Sequence, residues 1–423
     1  MDGLPIFSLA FRSLMARKFT ALLTIISIAT AVFLFSAVEN IRKSAEASFQ
    51  RTIDDTDLIV GARSSAINLT LYTVFQIGDP TNNITWRSYE EIRNRSDVEW
   101  TVPISLGDSH RGFRVVGTSP EYFEHYKFAN SRDLTFRDGR VFDDLFDIVL
   151  GAQVARDLGY EVGTALTFSH GIQKVSFSEH SDKPFVVTGV LSSTGTPVDR
   201  SVFVSLAAIE AIHVGWQSGT PTPASRLATP ERLREMNLQP KEITALLLGA
   251  KAPVQVPGLQ RYLNTYRAEP LQAVIPGIAL RQLWDMMSVV ERALLIVSSF
   301  VIAVGLIGVL TSILTSLNER RREMAILRSV GARPAHIVGL LVSEAALLAF
   351  IGAVLGVFFL YGAAWALQPI LEARFNIGAL NLVPGWSDFR VVSGVTLIAA
   401  LLGLIPALIA MKRSLSDGLT VRV

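Results

Sequence analysis

Seven charged side chains, Glu319, Arg320, Arg321, Arg322, Glu323, Arg328 and Arg333, stand in the stretch "LNERRREMAILRSVGARPAHIV", Leu317–Val338, with long apolar runs on both sides. Guanidinium groups at this density offer bidentate hydrogen bonds to carboxylates or phosphates. They supply neither a nucleophile nor a general base. Helical periodicity puts Met324, Ile326, Leu327 and Val330 on one face, with Arg321, Arg322, Arg328 and Ser329 opposite. Gly331 follows, where a left-handed helix cap favours glycine; Ala332 comes next, and Pro334 stands where a new helix can begin. A short amphipathic helix of this kind has two uses. It lies on lipid with its arginines at the phosphates, or it docks a cytoplasmic protein.

Other residues with chemical potential are sparse. Glu344 lies inside an apolar run, where a carboxylate at a membrane helix centre costs about 2.5–3.5 kcal/mol, so it must face protein or water. Its reading is a structural partner for neighbouring helices, with a part in substrate or proton passage as the alternative. Gly352 and Gly356 form a GxxxG pattern that permits close helix packing, either within the chain or at a dimer seam. His110, His125, His170, His180 and His213 fall between the first two apolar runs. The pair in "SHGIQKVSFSEH" is too isolated to read as a metal site, and a solvated loop is expected there. Sequons at Asn68, Asn83 and Asn94 read as chance. The chain has no cysteine, which excludes disulfides, thiolate metal sites and a lipidated cysteine. It has no G-x-x-x-x-G-K-[ST] phosphate loop, and no covalent chemistry is expected of it.

The elements that position these residues follow from hydropathy. The 423 residues are 50% hydrophobic and only 18% charged, with a mean hydropathy of +0.38. The net charge is only +2, so bulk affinity for nucleic acid is not implied. Four runs reach the ~20 apolar residues needed to span a bilayer: 19–38, 293–317, 335–367 and 391–411. The first lacks a small-x-small site after it and reads as an uncleaved anchor. Arg12, Arg17 and Lys18 before the first run, five arginines in the charged loop, and Lys412, Arg413 and Arg422 after the last place both termini and that loop in the cytoplasm. Residues 39–292 then lie outside, with a short outer loop at 368–390 and a cytoplasmic tail at 412–423.

The outer segment reads as mixed α/β. Strand-like runs occur at Asp57–Ala62, Phe113–Thr118, Asp147–Ala152, Phe185–Leu191, Ser201–Leu206 and Ile243–Ala250, and helical patterns at Trp86–Asn94, Gly151–Tyr160, Leu206–His213 and Val256–Tyr266. Before the second span, Leu280, Leu283, Trp284, Met287 and Val290 form one helical stripe. This predicts a stalk continuing the span outward, with "ENIRKSAEASFQ" after the first span as its weaker partner.

The stretch "NERRREMAILRSVGARPAHIVGLLVSEAALLAFIGAVLG" resembles the permease signature of the FtsX/MacB-type (type VII) ABC transporter superfamily. So does "LLGLIPALIAMKRSLSDGL" near the C-terminus. "LAFRSLMARKFTALLTIISIATAVFLF" resembles the family's cytoplasmic lead-in helix (1–18) and first span, and "FRVVGTSPEYFEHYKF" with "DIVLGAQVARDLGYEVGTALTF" its extracytoplasmic domain. The resemblance implies an α-helical membrane protein with four transmembrane helices and a large mixed α/β extracytoplasmic domain, a MacB-like periplasmic domain, between helices 1 and 2. It implies a coupling helix within the loop 318–334, at positions matching Glu319–Ala332. It also implies a bacterial inner-membrane location, a dimer with a second or homologous permease copy, and a separate cytoplasmic ABC ATPase dimer carrying ATP and Mg, with no cofactor on this chain. Membrane lipid and a periplasmic protein complete the expected partners.

Three function classes follow. The first is mechanotransmission, in which ATPase closure pushes the coupling helices and the stalks carry the movement to the outer domain for export or extraction. The second is an FtsX-like activator or sensor acting on an extracytoplasmic hydrolase or receptor. The third, a substrate conduit, needs a polar row down the spans, and Glu344 is the only charged residue within them.

Overall fold

The computed structural model describes residues 15, 17–50, 52–167, 169–170, 185–217, 220–221, 229–319, 329, 332–375 and 384–412. The chain divides into two units. One comprises Glu46–Met287 with Arg374–Gly378, and the other Met1–Ala45, Ser288–Ala373 and Ala379–Val423.

The outer unit is built on one mixed sheet. Its main strands are β1 (Leu58–Ala62), β2 (Val98–His110), β3 (Phe113–Thr118), β4 (Phe136–Gly139), β5 (Asp147–Leu150), β6 (Phe185–Leu191), β7 (Ser201–Ser205), β8 (Ala245–Ala250) and β9 (Leu271–Val274). Their order across the sheet is β9-β1-β8-β2-β3-β7-β5-β6-β4. The β3–β7 and β5–β6 pairs are parallel; β1–β8, β2–β8 and β2–β3 are antiparallel. The strand-like runs of the sequence lie in this sheet, except that Ile243, at the start of the last run, pairs with Ile84 in a separate two-stranded sheet.

Central strands are apolar on both faces because both faces are covered. Ile59, Val102 and Leu247 pack into one cluster with Tyr72, Phe123 and Phe203. Leu58, Val60 and Leu246 pack on the opposite side with Ile92, Leu259 and Leu263. The helices α1 (Trp86–Arg93), α2 (Glu121–His125), α3 (Leu206–His213) and α4 (Val256–Asn264) accompany the sheet. Thr85 caps α1 and Ser205 caps α3, each hydroxyl accepting a backbone N–H of the first turn. The strand β2 is the main element that the sequence patterns do not mark. Pro103 breaks the strand signal, yet its carbonyl is used, accepting the Thr118 hydroxyl at 2.8 Å.

The second unit is helical. Four helices carry segments long and apolar enough to cross a membrane: Lys18–Ser44, Ser288–Thr315, Pro334–Gln368 and Trp386–Ala410. They belong to α5 (Lys18–Gln50), α6 (Pro276–Glu319), α7 (Pro334–Phe375) and α8 (Trp386–Lys412). The third segment is the central one: its most apolar stretch is 56% buried, against 22% for the second. The reason is side-chain size. Ala345, Ala349 and Ala353 are fully buried in the bundle core, where they admit Ile28 and Val32 of α5. The second apolar segment begins at Ser288, earlier than the window 293–317, because Val289 and Val290 are already apolar and exposed.

Candidate functional site

The charged segment between α6 and α7 is the strongest functional signal in the sequence. Glu319 is the last residue of α6. Arg320, Arg321, Arg322, Glu323, Met324, Leu327, Arg328 and Gly331 lie outside the described residues, so their placement rests on the sequence pattern. Ala332 is half-exposed. Pro334 opens α7. The turn before it is closed reciprocally: the Arg333 N–H donates to His336 Nδ1 at 3.1 Å, and the His336 N–H donates to the Arg333 carbonyl at 2.9 Å. Two donors that a helix start would otherwise leave unpaired are thereby satisfied.

Glu344 is 3% exposed on α7 and is held in a polar or electrostatic interaction within the chain. It is turned to protein, as the desolvation cost requires. Gly352 and Gly356 are used inside the chain. A β-carbon on Gly352 would stand 2.7 Å from the Ile28 β-carbon, and one on Gly356 would stand 2.6 Å from the Ala29 carbonyl oxygen. The GxxxG face therefore seats α5 against α7.

The stalk stripe divides. Leu280 is buried in the core of the outer unit, beside Ala279. Leu283 and Trp284 are half-buried. Met287 lies on the same helix, while Val290 is 56% exposed. Val290 belongs to the apolar segment that starts at Ser288, which explains why its side chain is not covered.

Two polar clamps at the outer ends of the bundle helices were not legible as sites. Arg42 of α5 donates from Nη1 to Glu291 Oε1 of α6 at 2.8 Å, and from Nε to Glu39 Oε2 at 3.0 Å. Lys43 closes on Glu39 at 3.1 Å. The Arg42 and Glu291 side chains are only 24% and 18% exposed, so this pair is better shielded from water than an ordinary surface ion pair. On the other two helices, the Tyr361 hydroxyl donates to Asp388 Oδ2 at 2.6 Å, and the Gly385 N–H donates to the same oxygen at 2.8 Å. The available signal was the clustering of charges where apolar runs end.

The outer-unit histidines have local roles. His110 bonds the Thr167 carbonyl and the Tyr160 hydroxyl. His213 bonds the Ile209 carbonyl. His125 stacks on Trp100. His170 pairs with Asp108 in strand register, and His180 lies outside the described residues. Among the described residues, no three His, Asp or Glu side chains gather as a metal site.

This architecture has known relatives. The family described as MacB-like periplasmic core domain matches residues 19–259, and that described as FtsX-like permease C-terminal matches residues 295–415. The chain belongs to the FtsX/MacB-type ABC transporter permease family. Within it, the macrolide export ATP-binding/permease protein MacB of Nitrobacter winogradskyi is 24% identical over 412 residues, covering 93% of this chain and 55% of its own length. The lipoprotein-releasing system transmembrane protein LolC of Neisseria meningitidis is 23% identical over 250 residues, or 57% of this chain and 54% of its own. The chain thus spans about half the length of these two curated relatives. An uncharacterised ABC transporter permease of Methanocaldococcus jannaschii is 20% identical over 413 residues, covering 95% of this chain and 92% of its own. The FtsX-like match takes in three apolar segments and the charged loop. The periplasmic-core match takes in the first segment and most of the outer unit. As a member of this family the chain is a membrane protein with an extracytoplasmic domain.

Proposed function

We propose that this permease pairs with a separate cytoplasmic ABC ATPase and transmits ATP-driven movement across the inner membrane to its outer domain. Two permease copies, each with both termini in the cytoplasm, seat an ATPase dimer on their Glu319–Ala332 segments. ATP and Mg are bound and used on the ATPase. The cargo is extracted or exported by the outer domain; the relatives' names supply two classes, a lipoprotein and a macrolide.

The observation that carries this reading is the helix α6. It runs unbroken for 44 residues, from Pro276 to Glu319. At ~1.5 Å per residue it is roughly 66 Å long, about twice the hydrocarbon thickness of a bilayer. Its first turns are packed into the outer core through Ala279 and Leu280, and its last residue begins the charged segment. No proline interrupts it after Pro276. A helix of this kind curves gently but does not kink without a proline or a bulge, so it moves as a stiff rod.

A hinge tests the proposal. Met286→Gly with Met287→Pro removes one backbone hydrogen bond and costs about 3 kcal/mol or more of helix stability at that point. In the complete complex, ATP is expected to alter hydrogen exchange in the outer domain of the natural chain. The hinge variant is expected to hydrolyse ATP while losing that ATP-dependent change. An undiminished response in the hinge variant would make the stalk a passive tether.

A further inference from the structure

A cavity of about 330 Å³ opens in the outer unit and uses none of the coupling residues. Its lining includes Trp86 and Tyr89 of α1, Glu99 and Trp100 of β2, and Glu121 and His125 of α2. These come from three separate segments, and the sheet brings them together.

The aromatic walls are fixed in place. Trp100 and His125 are stacked, with ring centroids 4.6 Å apart and planes within 5°. Trp100 is paired in register with Gly249 of β8. A β-carbon on Gly249 would stand 2.1 Å from the indole Nε1, so the ring lies where any other residue at 249 would have its side chain. Trp86 packs on Tyr89 at 4.6 Å, and its indole N–H is held by Glu90 Oε1 at 2.9 Å.

The rim is charged. Glu99 and Glu121 are exposed at the cavity, as is Arg93, which also lines it. Burial pulls the Glu121 carboxyl upward, but the Ser119 hydroxyl, a backbone N–H and the Arg93 guanidinium together hold it below the usual carboxylate range. It is therefore an anion at neutral pH. Two carboxylates against one guanidinium leave the rim net negative. Aromatic faces attract a cation and also cover an aliphatic stem. The volume lies at the small end of ligand pockets.

We propose that this cavity binds a primary alkylammonium group on a short aliphatic stem, as carried by a lysine side chain or a free amine of that length. The stem lies against Trp86, Tyr89 and the edge of Trp100, and the ammonium meets Glu99 and Glu121. The inference does not depend on the coupling reading, because binding is measured on the full-length permease alone, without ATPase or nucleotide.

The test is calorimetric titration of the purified full-length chain with four probes: n-butylammonium, Nα-acetyl-lysine amide, a short lysine-centred peptide, and Nα-acetyl-norleucine amide as the uncharged control. Saturable binding of the first three is expected, at least tenfold tighter than the norleucine control. Equal affinity of butylammonium and the peptide identifies a free-amine site, and tighter peptide binding identifies a polypeptide partner; both support the cation assignment. The double variant Glu99→Gln, Glu121→Gln is expected to lose at least tenfold in affinity for lysine amide, with unchanged thermal unfolding. No saturable binding of any ammonium probe, or equal binding of norleucine amide to the natural chain, overturns the proposal. The norleucine comparison needs no variant, so it decides even if the double variant folds poorly.

Discussion

Leu327→Asp is expected to leave the permease inserted in the membrane and to strip its ATPase from the purified complex. Leu327 stands in the middle of the apolar face formed by Met324, Ile326, Leu327 and Val330 in the loop between the second and third apolar segments. If that face is buried against a protein, an aspartate there places an unpaired carboxylate in the contact. Burying an unpaired charge costs several kcal/mol after relaxation. About 3 kcal/mol already lowers an association constant by more than a hundredfold. A segment that merely rests on lipid headgroups would tolerate the change far better, because water is at hand there to solvate the carboxylate. Leu327→Met keeps the volume and polarity and is expected to retain the ATPase. Affinity purification of the permease, with the co-purified ATPase quantified, separates the outcomes. Undiminished ATPase in Leu327→Asp would assign the segment to the lipid surface.

The second large effect is on the bundle itself. Gly356→Leu is expected to abolish the stable fold of the helical unit. A β-carbon there meets the Ala29 carbonyl oxygen at 2.6 Å, the Val32 β-carbon at 2.9 Å and the Phe33 nitrogen at 3.1 Å. Two of the three are backbone atoms, which cannot rotate away. The helices α5 and α7 must separate, and Ile28 and Val32 then lose their contacts with the alanine stripe of α7. Overpacking by a single methyl typically costs about 1–3 kcal/mol, and leucine adds a whole side chain. Gly356→Ala is expected to lower the temperature of aggregation in detergent, and Gly356→Leu to leave little monodisperse protein. Gly362→Ala is the control, since a β-carbon at Gly362 meets nothing within 4 Å. Equal thermal survival of Gly356→Leu and Gly362→Ala would mean that the α5–α7 seam does not hold the bundle.

The membrane-spanning architecture was legible because hydropathy reports it directly. A run such as Ala293–Leu317 has no soluble alternative of comparable length. The outer strands were legible where apolar runs ended in glycine, as at Leu58–Ala62 and Ala245–Ala250. They were hidden where Pro103 and Asp108 interrupt β2, whose pairing shifts register between Leu106 and Ser109. Pairwise contacts over long sequence separations were not legible at all. Arg42 and Glu291 are 249 residues apart, and neither carries a local pattern that names its partner. The choice between an internal seam and a dimer seam for Gly352 and Gly356 was undecidable for the same reason. Spacing shows that a face is small, and only the fold shows what fills it. The aromatic cavity gave no signal because Trp86, Trp100 and His125 are unremarkable singly and meet only through the sheet.

In the proposed mechanism ATP moves the outer ends of the membrane helices. The chain is naturally free of cysteine, so labels can be placed without background. Ile41 on α5 and Val290 on α6 are 65% and 56% exposed, and both flank the Arg42–Glu291 clamp without belonging to it. Spin labels at Ile41→Cys and Val290→Cys report the separation of the two helices by pulsed dipolar spectroscopy in the reconstituted complex. The distance distribution is expected to shift by about 5 Å, roughly one helical turn, between the nucleotide-free and ATP-trapped states. The same distribution in both states, with ATP hydrolysis intact, would contradict mechanotransmission.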